Sequence, residues 1–351
     1  MKFVPSGREW TLAQVEPALG ISVADGGRLA RKSRNLGLAA LARRAHWLGV
    51  QESHMIQVAK PETQSPSTPA AAAAEAAALP LSTRFELGAE ITPVQRAFLD
   101  RHGFITFSQV LSTAEVEQVD AEINRVQRRW LDEGRKKVYG IPVFVGKDPE
   151  GQPFIQRFAF TSQFSTYIRQ LVRDERFYPV RGLIGDSTRV GDEEKDGVVF
   201  NRNLNVPGSA YPRLGWHTDG LRSLFYLRMP GPMLNVGLHF DRVRAEDGGL
   251  RVIPGSHKQG FLKMAFGKPY FVSHRPDPRE VAVETEPGDL TVHDGRLWHR
   301  VEGSPRTGWQ SLRRTMYVPY LTDAYAPKRE DSRTPLYHEL GRLLRRAKGS
   351  M

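Results

Sequence analysis

The stretch "PGDLTVHDGRLWHRV", Pro287–Val301, is where the sequence declares its architecture. Pro287-Gly288-Asp289 turns the chain, Leu290–His293 reads as a strand, Asp294-Gly295 turns it again, and His299 follows on a second apolar stretch. Runs of the same texture lie on either side: "GVVFNRNLNV", "SLFYLRM", "MLNVGLHF", "LRVIPGS" and "RRTMYVPYL", each bounded by Gly, Pro or Asp. Many short strands at such spacing, without helices between them, predict a β-sandwich or jelly roll rather than βαβ units. The expected class is therefore mainly β with flanking helices.

Those helices are announced upstream. In "ITPVQRAFLDRHGFITFSQVLSTAEVEQVDAEINRVQRRWLDEG", Thr92-Pro93 supplies an N-cap with proline at the first helical position. Ser112-Thr113 with Glu115 starts a second, longer helix, and Phe104–Phe107 between the two reads as a strand. One further helical stretch is expected near 162–176.

The chain carries no cysteine, which excludes disulfides, thiolate metal sites and a cysteine nucleophile. The absence of a secretory leader pattern and of long apolar runs leads to the expectation of a cytoplasmic protein. A formal charge of +11 raises the question of an acidic partner, but its location answers it. Residues 1–60 hold nine Lys/Arg against four Asp/Glu, and residues 328–351 hold seven against three. The body between them is nearly neutral, so nucleic acid is not expected as its partner. Residues 1–59 form a basic extension with an amphipathic helix over 27–51. It reads first as an ordinary helix packing one face on the body, with a membrane surface or a partner protein as the functional alternative. Residues 60–87, rich in Pro, Ala and Ser, read as a linker, with room for a short helical turn in the alanines. Residues 88–326 form the main domain, and 327–351 a basic C-terminal helix or tail. Oligomeric state is not legible.

His217 and Asp219 in "GWHTDG" stand at i and i+2, a spacing that sends two side chains to the same side of a strand end. Two imidazoles and one carboxylate on one face of an octahedron suit Fe(II), leaving three positions for a bidentate co-substrate and O₂. A second imidazole would come from a distant strand, with His239, His257, His274, His293 and His299 as candidates. Arg313 and Arg314 head a later strand, where a buried guanidinium would bind a carboxylate in bidentate fashion.

Taken together, "ITPVQRAFLDRHGFITFSQVLSTAEVEQV", "WHTDG", "AEDGGLRVIPGSHKQG" and "PGDLTVHDGRLWHRV…RRTMYVPY" resemble the phytanoyl-CoA dioxygenase family of Fe(II)/2-oxoglutarate oxygenases, which includes ectoine hydroxylase. The resemblance implies a double-stranded β-helix (jelly-roll, cupin-like) core over roughly residues 88–325. It implies His217, Asp219 and His299 as iron ligands, with Fe(II), 2-oxoglutarate and O₂ as cofactor and co-substrates. Alignment with the family points to Arg313 rather than Arg314 as the partner of the 2-oxoglutarate carboxylate. Asn203, with Asn201 on the same strand, matches a position where relatives place a polar residue toward 2-oxoglutarate. Two departures are visible: Val301 stands where a Ser or Thr commonly follows the distal His, and the interval from His299 to Arg313 is about three residues long of the usual.

The other residues have plainer readings. His293 suits packing, His257 a turn cap, His239 a satisfied core position and His274 a loop. Trp216 reads as a pocket wall and Gly248-Gly249 as a tight turn, while Gln156 and Arg157 face either the cavity or a surface ion pair. Related halogenases replace the carboxylate by a small residue, so Asp219 favours hydroxylation of an unactivated C–H bond of a small molecule, amino-acid-like or a natural product, with release of succinate and CO₂. The alternatives are an acyl-CoA or lipid hydroxylase drawn to anionic surfaces by the basic ends, and a catalytically idle β-helix used for binding.

Overall fold

The computed structural model describes residues 68–207, 209, 213–220, 231–271 and 273–335. The chain divides between Gln64 and Ser65, and every described residue belongs to the second unit. The basic helix expected at 27–51 and the strand expected at 223–229 fall outside the described residues, as does the tail from 336 onward.

Helix α1 (Pro69–Ala78) begins where Thr68 accepts a hydrogen bond from the Ala71 amide, and it buries Ala72 and Ala76. It packs against α2 (Pro93–His102), and strand β1 (Arg84–Phe85) then adds in parallel to β2 (Phe104–Phe107). The linker reading of residues 60–87 is thus corrected over 68–87. An alanine run has the highest helix propensity, and its small side chains allow close approach to a neighbouring helix. Residues 327–335, expected as the start of a C-terminal helix, contain none.

Both N-cap expectations are met as reciprocal capping boxes. Thr92 and Gln95 close the first turn of α2, and Ser112 and Glu115 close that of α3 (Thr113–Asp132). Helix α2 ends at Gly103 in the left-handed conformation. Helix α3 buries Val116, Val119, Ile123, Val126 and Trp130, a 3-4-3-4 spacing that puts all five on one face. Short helices Thr161–Phe164 and Thr166–Leu171 account for the periodicity near 162–176.

Two sheets follow. The larger is built from β1, β2, β3 (Arg157–Phe158), β4 (Arg189–Val190), β5 (Val199–Asn203), β7 (Met233–His239), β10 (Leu290–Asp294) and β12 (Arg313–Leu321). Its order is β1-β2-β10-β7-β12-β5-β3, with β4 beside β12, and every pairing beyond β1–β2 is antiparallel. The smaller sheet has the order β6-β11-β8-β9, from β6 (Leu214–His217), β8 (Gly249–Val252), β9 (Val281–Ala282) and β11 (His299–Glu302). Among the described residues no ladder closes the two sheets into a barrel. This is the jelly-roll architecture expected from the strand texture.

Alternation divides the large sheet into two faces. Phe200, Val236, Leu238, Val292, Met316, Val318 and Tyr320 join the α3 residues in one hydrophobic core. The opposite parity carries Asn201, Asn203, Asn235, His239, Thr291, His293, Arg313, Thr315 and Tyr317. That polar face looks at the small sheet, and Phe104, Leu250, Val252, Val283 and Leu297 seal one border between the sheets. Apolar burial on the helix side thus leaves the inner face free to hold chemistry. Among the described residues no helix is long and apolar enough to cross a membrane.

Candidate metal centre

His217 closes β6 and pairs directly across the ladder with His299, the first residue of β11. Their rings lie 4.1 Å apart, so adjacent strands bring together two histidines 82 positions apart in sequence. The register between Leu214 and His217 is irregular, the kind of local bulge that re-aims a side chain. Asp219 follows on the turn out of β6. Ligand atoms of His217, Asp219 and His299 all lie within 4.8 Å of one another, and all three residues are buried.

Each imidazole is oriented by the carbonyl two residues before it. His217 Nδ1 lies 2.8 Å from the Gly215 oxygen, and His299 Nδ1 lies 3.0 Å from the Leu297 oxygen. A proton on Nδ1 donated to that carbonyl leaves Nε2 as the lone-pair atom, as in metal-bound histidines. Burial, with the His217 ring beside it, pushes the His299 imidazole well below its usual range, so it stays neutral as a ligand must. The residues fit a divalent metal of the Fe(II) kind: two imidazoles, one carboxylate and a shared buried focus.

Arg313 opens β12 on the same inner face, opposite Asn203 on β5. The residue is 6% exposed, its Nη1 donates to the Glu302 carbonyl at 2.8 Å, and Nε has no partner among the described residues. Burial lowers its pKa to about 10, so it remains a cation at neutral pH. A buried cation with a spare donor calls for an anion. Arg314 takes the other face and is spent there, on Asp241 at 2.7 Å and Asp120 of α3 at 3.0 Å. The facing that the sequence left open is therefore settled by pairing: Arg313 looks inward and Arg314 does not. Asn203 shares the inner face, half-buried beside Arg313.

The remaining histidines part company. His293 reaches the centre from β10, its ring 4.6 Å from His299, with Nε2 3.3 Å from Asp219 Oδ2. His239 is held by Thr291 Oγ1 at 2.9 Å, and burial lowers its pKa to about 4. His257 bonds the Asp100 carbonyl beneath α2, and His274 lies in a loop. Gln156 binds Leu204 O and Ser209 Oγ, and Arg157 pairs with Asp196 at 2.6 Å. Trp216 is fully buried, with Lys268 and Arg300 over its ring.

Sequence reasoning missed three contributors. Asn235 donates to Asp219 Oδ2 at 2.7 Å. Tyr317 sits on the inner face, where burial and the Asp219 carboxylate push its phenol up and keep it protonated. The Tyr270 hydroxyl meets the amide, hydroxyl and carbonyl of Thr218, pinning the turn between His217 and Asp219. Alternation along "LNVGLH" and "RRTMYV" carries a signal for Asn235 and Tyr317, which fall in phase with His239 and Arg313. Nothing local marks Tyr270.

Residues 99–306, more than half of the chain, match the family described as phytanoyl-CoA dioxygenase (PhyH). The chain belongs to the phytanoyl-CoA dioxygenase family. That family is one of iron- and 2-oxoglutarate-dependent oxygenases. His217, Asp219 and His299 fall inside the stretch matched to it, and Arg313 lies just beyond its end. Dioxygenase af480 of Aspergillus fumigatus is 29% identical over 210 residues, 58% of this chain and 59% of that protein, so the match spans less than two thirds of that relative. Among solved structures, AviO1 of Streptomyces viridochromogenes Tue57 is similar with a TM-score of 0.46 and 21% identity, over 66% of this chain and 95% of that one. HygX of Streptomyces hygroscopicus, with nickel and 2-oxoglutarate bound, gives 0.48 and 19%, over 66% and 87%. Likenesses this remote add nothing on the reaction of this phytanoyl-CoA dioxygenase family member.

Proposed function

We propose that this protein is an Fe(II)- and 2-oxoglutarate-dependent dioxygenase that hydroxylates an unactivated C–H bond of a small molecule, amino-acid-like in the manner of an ectoine hydroxylase or a natural-product metabolite. The observation that carries this is the pairing of two features on the facing inner surfaces of the two sheets. One is a buried His217–Asp219–His299 cluster with both imidazoles poised through Nε2. The other is a buried guanidinium, Arg313, that retains an unpartnered donor.

In this reading His217, Asp219 and His299 hold the metal, and Arg313 binds the distal carboxylate of 2-oxoglutarate, with Asn203 beside it. Iron with 2-oxoglutarate and O₂ bound supplies the oxidation, converting the co-substrate to succinate and CO₂ and a C–H bond to an alcohol. The chain's own part is to hold and exclude. Gly215 O and Leu297 O fix the imidazole tautomers, Tyr270 fixes the turn that presents Asp219, and Tyr317 keeps its phenolic proton beside that carboxylate. The carboxylate at position 219 supports hydroxylation, since it fills a coordination place that a small residue would leave to a halide.

The test is succinate release by the iron-loaded protein, with 2-oxoglutarate and O₂, across pools of amino-acid-like metabolites, natural products and acyl thioesters. A pool that raises succinate above the uncoupled background and yields a product heavier by one oxygen supports the reading. Stimulation by acyl thioesters alone would replace the substrate class with the lipid alternative.

A further inference from the structure

The three ligand positions are not held alike. Each histidine is oriented by its own segment of chain, through the carbonyl two residues back. Asp219 stands on a turn, and its carboxylate is gripped from the opposite sheet instead. Asn235 Nδ2 donates to Oδ2 at 2.7 Å, and His293 Nε2 lies 3.3 Å from the same oxygen. Asn235 on β7 and His293 on β10 are direct partners in the ladder, so the large sheet presents them side by side to one target. Asp219 and His293 are 4% and 1% exposed, so water does not compete strongly for these bonds. For His293 to donate from Nε2 the proton must sit there, leaving Nδ1 as an acceptor, and Nδ1 is buried with no partner among the described residues.

We propose that Asn235 and His293 are positioning residues that clamp Asp219 through Oδ2, fixing it as a one-oxygen ligand of the metal. A carboxylate free to rotate can chelate with both oxygens and so occupy one of the three places that a bidentate co-substrate and O₂ need. Two donors on one oxygen oppose that rotation. The same geometry makes His293 a donor to a ligand rather than a ligand: the metal-capable cluster comprises His217, Asp219 and His299 without it. The inference rests on the reading of those three residues as the metal site.

The experiment uses the full-length protein, anaerobically, with Co(II) and Fe(II) as probes in competition with a chromophoric chelator. Wild type is expected to bind one metal per chain, and His217→Ala to lose it. Asn235→Ala and His293→Phe are expected to weaken affinity roughly 10–100-fold each, the usual effect of removing a group that orients a ligand. Both should also alter the visible spectrum of the Co(II) protein. His293→Gln, which restores an N–H donor, should recover affinity to within a few-fold of wild type and guards against a packing defect in His293→Phe. Wild-type affinity and spectrum in both Asn235→Ala and His293→Phe overturn the clamp, whatever their melting temperatures. Tight metal binding retained by His217→Ala overturns the metal reading itself, which is a separate outcome.

Discussion

A β-carbon placed on Gly248 would stand 2.7 Å from Nη1 of Arg313 and 2.5 Å from the Gly303 carbonyl oxygen. Gly248 has φ +87°, a region that only glycine enters cheaply. The turn that the sequence marks as "DGG" is therefore a seat for the inward arginine as well as a reversal of the chain. Gly248→Ala is expected to displace Arg313 and to weaken 2-oxoglutarate binding by at least about tenfold, roughly 1.4 kcal/mol. Metal affinity should stay near wild type. Calorimetric titration of the metal-loaded variant with 2-oxoglutarate checks this.

Arg313→Ala and Arg314→Ala should separate cleanly. The first removes a buried cation facing the cavity and should cost 2-oxoglutarate binding roughly 3–5 kcal/mol. The second breaks ion pairs to Asp241 and Asp120 on the helix side and should lower stability while leaving 2-oxoglutarate affinity within about threefold. The same titration, run beside urea unfolding, reads both effects. An inverted result would place the wrong arginine in the cavity.

Acid should find His239. Burial lowers its pKa to about 4, against 6.5 for the unfolded chain. Above pH 6.5 both states are neutral there, and stability is unaffected. Between pH 6.5 and 4 only the unfolded chain takes up the proton, so stability falls, by about 3 kcal/mol across the window. Below pH 4 both states are charged and the loss levels off. Urea unfolding of the metal-free protein at several pH values should show this slope, and His239→Gln should reduce it by that amount.

Ser112→Ala removes half of the capping box on α3, the helix whose one apolar face completes the main core. The expected loss is about 1 kcal/mol in urea unfolding, with unchanged metal binding.

Legibility followed the range of the interactions. Caps at Thr92 and Ser112 and the strand runs at 199–203, 233–239 and 313–321 are local, period-driven features, and the sequence carries them in full. His217 with Asp219 was readable as a pair because i and i+2 are neighbours at a strand end. His299 entered only by resemblance, because its pairing with His217 depends on a ladder between strands 82 positions apart. The inward facing of Arg313 was undecided because alternation gives two phases and no sign. Asp241 and Asp120, which claim Arg314, supply that sign only after folding. The Ala-rich stretch misled because its composition suits both a linker and a helix, and the surface of α2 decides between them. Strand phase marks Asn235 as inward but not its target across the sheets, and Tyr270 acts from a loop where a single sequence leaves no local trace.

The central claim is that His217, Asp219 and His299 hold iron next to an Arg313-bound 2-oxoglutarate. Anaerobic addition of Fe(II) and 2-oxoglutarate to the metal-free protein tests it most directly. A weak visible charge-transfer band, present in wild type and absent from His217→Ala, Asp219→Ala and His299→Ala, is the result predicted. A wild-type protein that shows no such band, or a band that survives loss of any one of the three side chains, contradicts it.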